Sequence, residues 1–90
     1  MAGKGADAKG LILYHFEGCP YCQLVRDAVE RLGIQLEMRD VRMNSAHMSE
    51  LQAARGRSTV PVLRIQDEGP ERWMPESLDI VAYLEKRFAA

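Results

Sequence analysis

Ninety residues, 47% of them hydrophobic and 28% charged, make one globular domain with a modest core and exclude a disordered chain. A formal net charge of -1 leaves neither the basic stripe of a nucleic-acid binder nor a strong acidic field. No apolar run approaches the ~20 residues of a membrane span, so neither nucleic acid nor membrane is an expected partner.

Residues 1–10 are mostly small, with Lys4 and Lys9 among them, and lack the apolar stretch of a signal peptide. They predict a flexible N-terminal tail ahead of a domain spanning 11–90. With no export signal, the expected setting is the reducing cytoplasm. Residues 11–16 are too few and too apolar for a surface helix and predict a central strand buried on both faces. Glu17 and Gly18 break it, and Cys19-Pro20-Tyr21-Cys22 follows. Val25, Ala28, Val29 and Leu32 then recur at helical spacing, with Gly33 placed where a helix C-terminus takes a left-handed residue.

Residues 34–41 alternate, Ile34, Leu36 and Met38 against Gln35, Glu37 and Arg39, which predicts a half-buried strand near an edge. The helix between these two strands makes them a parallel pair. Asn44 and Ser45 offer an N-cap for a second, weaker helix ending at Gly56. Pro61 fits the first position of a third strand over 62–65, and a turn over 67–70 leads to a short return strand over 72–74. Ser77 is the expected N-cap of the last helix, whose apolar stripe is Ile80, Val81, Leu84 and Phe88. The order is β-α-β-α-β-β-α, an α/β fold with a four-stranded mixed sheet and helices on both faces.

The chain holds two cysteines, three residues apart. Placed with the first just outside a helix and the second in its first turn, they can close into a small disulfide. The helix dipole favours a thiolate on the first, and Pro20 loses nothing at a position whose N–H has no intrahelical partner. A zinc site needs more ligands than two cysteines with no suitably spaced histidine, so no metal is expected. Exchange between thiols and disulfides is the chemistry this spacing suits.

Cys19-Pro20-Tyr21-Cys22 after the first strand, Thr59-Val60-Pro61 before the third, and a polar start to the last helix together resemble a glutaredoxin of the thioredoxin superfamily. The resemblance covers most of the chain. It implies a thioredoxin-like fold and a glutathione-dependent oxidoreductase that reduces protein disulfides and glutathione mixed disulfides. Cys19 is the implied nucleophile and Cys22 the resolving thiol, so Cys19 should be partly accessible. Pro61 is the implied cis proline, and Val60 pairs its backbone with the glutathione peptide. Glu76 and Ser77 hold the γ-glutamyl end at a helix N-terminus, a ready anion site. Tyr21 lines the cleft edge, and Thr59 completes the Thr-Val-Pro segment; as a loop arginine, Arg57 is expected either to reach the glycine carboxylate through a charge-assisted bond or to stand solvated. The implied partners are glutathione and disulfide-bearing or glutathionylated proteins, met by a monomer.

Two departures qualify the likeness. Phe16 stands where glutaredoxins often carry lysine, and the Glu17 carboxylate beside it acts to raise the nucleophile's pKa. Pro75-Glu76-Ser77-Leu78-Asp79-Ile80 is more similar to the glutathione-binding corner of the glutathione transferase N-terminal domain. The alternatives are therefore a transferase-like glutathione-binding module, or a thioredoxin-like electron carrier that does not use glutathione. His15 reads as a packed core or edge histidine and His47 as a surface helix residue. Met38, Met43 and Met48 read as core or rim filler, and Trp73 as packing beneath the hairpin.

Overall fold

A computed structural model describes residues 7–67 and 69–88. Its elements are β1 (Asp7–His15), α1 (Pro20–Leu32), β2 (Gln35–Asp40), α2 (Ser45–Arg55), β3 (Val62–Ile65), β4 (Arg72–Met74) and α3 (Ser77–Phe88). This is the order read from the sequence, in a thioredoxin-like arrangement. The sheet runs β2-β1-β3-β4, with β1 and β2 parallel and the β1–β3 and β3–β4 pairs antiparallel. A parallel pair requires a crossover, which α1 supplies.

Alternation along the central strands builds a core on each face. Leu11, Leu13, Leu63 and Ile65 pack with Val25 and Val29 of α1 and Ile80 and Leu84 of α3. Ile12, Tyr14 and Val62 face the other way, where Leu51 of α2 and Val41 cover them. Leu13, Leu63, Ile80 and Leu84 are fully buried, and each such side chain stabilises the fold by about 1.5–3 kcal/mol. Among the described residues no helix is long and apolar enough to cross a membrane.

The first strand starts earlier than the sequence suggested. Residues 7–10 belong to β1, not to a tail; 1–6 lie outside the described residues. Gly10 makes this possible: its φ is +80°, and its carbonyl accepts from the Gln66 N–H at 2.6 Å. A Cβ there would meet the Gln66 carbonyl oxygen at 3.2 Å.

The helix caps follow the local sequence with one shift. Gly33 ends α1 in the left-handed region, φ 66°, and Ile34 donates back to the Val29 carbonyl. Asn44 caps α2 by accepting from the Ala46 N–H at 2.9 Å. In α3, however, Ile80 donates to the Glu76 carbonyl, so Glu76 holds the N-cap position. Ser77, expected as the cap, is the first helical residue and is buried.

Tyr14 brings polar chemistry into a strand read as apolar on both faces. Its buried hydroxyl donates to Glu50 Oε1 at 2.9 Å and accepts from Arg39 and Arg64. Trp73 packs on the Tyr14 ring, centroids 5.4 Å apart, with the Arg64 guanidinium over its indole. Met43, read as filler, is 82% exposed, because the turn after β2 carries it outward.

Candidate functional site

The end of β1 and the start of α1 hold the two cysteines. Cys19 is the N-cap of α1, with extended backbone (φ -85°, ψ 115°), and Pro20 takes the first helical position. The Cys22 N–H donates to Cys19 Sγ at 3.4 Å. A sulfur in that place meets the positive end of a 13-residue helix, which favours negative charge on it. Both thiols are free, and both are buried, Cys19 at 7% exposure and Cys22 at 0%. Cys19 is thus more covered than the sequence reading required of a nucleophile.

The two sulfurs differ in environment. Burial pushes the Cys22 thiol up to about 12 from an ordinary 9.0, and its hydrogen bond with Cys19 adds to the rise. The Phe16 backbone N–H and the Arg26 charge oppose it. Since the folded value lies above the unfolded one, this group's stabilising effect is whole below pH 9.0 and is lost as pH climbs toward 12. Reduced wild-type protein should therefore lose about 1–2 kcal/mol more than Cys22→Ala between pH 8 and roughly 10.5, read from urea unfolding at both pH values. Equal losses in the two proteins would refute this.

Beside the cysteine loop lies a groove of about 670 Å³. All seven residues assigned to glutathione from the sequence, Tyr21, Arg57, Thr59, Val60, Pro61, Glu76 and Ser77, line it. The Val60–Pro61 bond is cis, as the resemblance implied. Val60 lies outside the strand ladder, and among the described residues no other backbone group bonds its N–H or C=O. Pro75, Leu78 and Asp79, of the same corner as Glu76 and Ser77, also line the groove, and two further lining residues, Leu24 and Arg55, were not singled out from sequence. Arg55 sits in the last turn of α2, and its Nε is buried without a hydrogen-bond partner among the described residues. Neither Arg55 nor Arg57 forms an ion pair with another described residue. Leu78 and Leu24, 72% and 46% exposed, join Tyr21 as an apolar rim. The groove is therefore polarised, with guanidiniums from the end of α2 and the loop after it, and carboxylates at the start of α3.

A separate hollow of about 430 Å³ lies where β1 and β2 diverge, lined by Lys9, Gln35, Glu37 and Gln66 among others. It contains no cysteine or histidine. Among the described residues, one cluster brings metal-ligand types together: His15, Glu17 and Asp40 place ligand atoms within 4.8 Å of one another. Arg26 Nη1 is 3.1 Å from His15 Nδ1, and Asp40 Oδ1 already accepts from the Arg42 and Met43 N–H groups. A guanidinium at that distance opposes a cation, so the cluster is not assigned to a metal.

Residues 13–90 match the family described as glutathione S-transferase, N-terminal domain. Glutaredoxin 2 of Escherichia coli K12 is 34% identical over 74 residues, a match covering 82% of this chain and 32% of that protein. The chain thus spans about a third of the length of the curated relatives it matches. A maleylacetoacetate isomerase from Anaeromyxobacter dehalogenans, solved with bound dicarboxyethyl glutathione and citrate, superposes with a TM-score of 0.66 at 29% identity. That match covers 87% of this chain and 36% of the isomerase. A trimeric glutathione transferase from Leishmania gives a TM-score of 0.72 at 27% identity, covering 91% of this chain and 18% of that one.

Proposed function

The chain belongs to the glutathione S-transferase N-terminal domain family, and on that premise we propose that it is a glutathione-binding module whose Cys19–Cys22 pair exchanges disulfides. The family match and the solved relatives support the transferase-like module more directly than the free-standing dithiol glutaredoxin first read from the sequence. What supports the exchange chemistry is the placement of Cys19: a free thiol at a helix N-cap, receiving the Cys22 N–H, beside a groove lined by all seven expected glutathione contacts.

The groove suits the tripeptide end to end. The glycine carboxylate meets Arg57 and Arg55 through charge-assisted bonds. The peptide's middle pairs with the free N–H and C=O of Val60. The γ-glutamyl carboxylate takes the N-terminus of α3 at Ser77, and its ammonium faces Glu76 and Asp79. This places the glutathione sulfur toward Cys19.

In the reaction, Cys19 thiolate attacks the glutathione sulfur of a protein–glutathione mixed disulfide. The new Cys19–glutathione bond forms as the old bond breaks, and the protein thiolate leaves and takes a proton. A second glutathione thiolate then attacks the bound glutathione sulfur, releasing Cys19 thiolate and glutathione disulfide. Alternatively, Cys22 thiolate attacks Cys19 Sγ and expels glutathione, leaving a Cys19–Cys22 disulfide. A cytosolic glutathione pool is reducing enough to return such a pair to dithiols.

The test is turnover of a glutathionylated peptide coupled to glutathione reductase, alongside calorimetric titration with glutathione. Wild type should turn over, and Cys22→Ser should keep a substantial share of the rate through the two-glutathione route. Binding without turnover would leave a transferase-like module and sink the exchange reading. Turnover with a flavoprotein reductase but no glutathione binding would instead favour the thioredoxin-like carrier.

A further inference from the structure

One polar contact behind the cysteine loop has no part in binding glutathione. Arg26 lies on α1 one turn after Cys22 and is half-buried. Its Nη1 donates to the Phe16 carbonyl at 3.3 Å and lies 3.1 Å from His15 Nδ1, while Nη2 donates to Gln23 Oε1 at 2.6 Å. The Phe16 carbonyl also accepts the Cys19 N–H at 3.4 Å. One guanidinium therefore ties the end of β1, and Phe16 just beyond it, to the first turns of α1, across the segment carrying both sulfurs.

His15 is arranged to receive that guanidinium. It is 94% buried, being 6% exposed, and a neutral ring whose proton sits on Nε2 offers a lone pair at Nδ1. The charged groups facing it are Arg26 from α1, Asp40 from β2 and Glu17 from the loop after β1. Burial and the Arg26 charge hold its pKa below the usual histidine value, outweighing the two carboxylates, so the imidazole is neutral at neutral pH. Being neutral, it keeps the contact with Arg26 without charge repulsion.

We propose that Arg26, seated on His15, is a positioning residue for the resolving step, holding Cys22 and the loop of Cys19 in register and keeping a positive charge near the Cys22 sulfur. This rests on the exchange reading of the cysteines but not on glutathione. Cys22 is the sulfur that most needs such help, because it is fully buried and must still become a thiolate to attack. In that step Cys22 loses its proton to water and attacks Cys19 Sγ of a mixed disulfide. The Cys19–Cys22 bond forms, the bond to the bound group breaks, and the expelled sulfur leaves as a thiolate with both electrons of that bond and takes a proton from water.

Mixing the reduced protein with dithiobis-nitrobenzoate in a stopped-flow instrument separates the two sulfurs. Cys19 attack releases one coloured nitrothiobenzoate, at a rate proportional to reagent; Cys22 closure releases a second, at a rate independent of it. Loss of a neighbouring cation raises a thiol pKa by roughly one unit. That cuts the thiolate tenfold, and greater intrinsic nucleophilicity returns about threefold. Arg26→Ala should therefore slow the second release roughly threefold through charge, and roughly tenfold with the positioning contacts also gone. The first release should change less than about threefold. Arg26→Lys should recover the part due to charge. Equal slowing of both releases, or no recovery with lysine, would overturn the proposal and leave Arg26 a scaffold residue. A wild type giving only one release would sink it together with the exchange reading. Failure of glutathione binding appears only in the coupled assay, since glutathione takes no part here.

Discussion

Cys19→Ser should lower kcat/KM for the glutathionylated peptide by at least about a thousandfold, the scale on which removal of a covalent nucleophile acts. The substitution is unusually clean at this position. Cys19 is the N-cap of α1, and its side chain accepts the Cys22 N–H. Serine is among the preferred N-cap residues, so the helix keeps its cap while the sulfur is lost. Thermal melting should therefore leave Cys19→Ser at or slightly above wild type. Cys22→Ser removes no nucleophile from the two-glutathione route and should keep a substantial rate. Activity surviving in Cys19→Ser, or a collapse in its melting temperature, would remove the argument that this residue acts through its chemistry alone.

The parts of this molecule that could be read from sequence are those decided by neighbours along the chain. The apolar spacing of Val25, Val29, Ile80 and Leu84 placed α1 and α3 against the sheet, and Gly33 and Gly56 marked helix ends where the backbone is left-handed. The cysteine spacing placed both sulfurs at the start of α1 for the same local reason. What escaped were contacts between residues far apart in sequence. Tyr14 reads as one more apolar position in a short strand, and only folding sets its hydroxyl among Glu50, Arg39 and Arg64. His15 reads as packed, but its pairing with Arg26 depends on how α1 returns across the end of β1. The early start of β1 turned on Gly10, which as a lone glycine signals a break, yet here lets the strand pass close to Gln66. The cap of α3 falls on Glu76 instead of Ser77, a one-residue shift of the kind that helix ends commonly show. Arg55 belonged to a helix terminus in the sequence, where a basic residue is already explained by the dipole, so nothing marked it for the groove.

That arginine carries the second large effect. Replacing Arg55 and Arg57 together with alanine should raise the KM for glutathione by about 100-fold and change kcat by less than about threefold. Both line the groove, and neither is paired with a carboxylate among the described residues. Arg55 Nε is buried without a partner, so the side chain has already lost water there and gains from an incoming anion. Hydrogen bonds to a charged group are worth about 1.5–3 kcal/mol, or roughly 10- to 100-fold each. Arg57 is exposed and screened, which holds its share near the lower figure. If both arginines grip one carboxylate, the single variants should each cost nearly as much as the pair, because the remaining guanidinium cannot keep the geometry alone. If they grip separate anions, the two losses should add. The cysteines are untouched in either case, so the chemical step should proceed once the ligand is bound, and the loss should appear in KM. Raising the salt should weaken wild type toward the double variant and leave the variant nearly unmoved. An unchanged KM in the double variant would place the carboxylate end of glutathione elsewhere and reverse the orientation assigned to it along the groove.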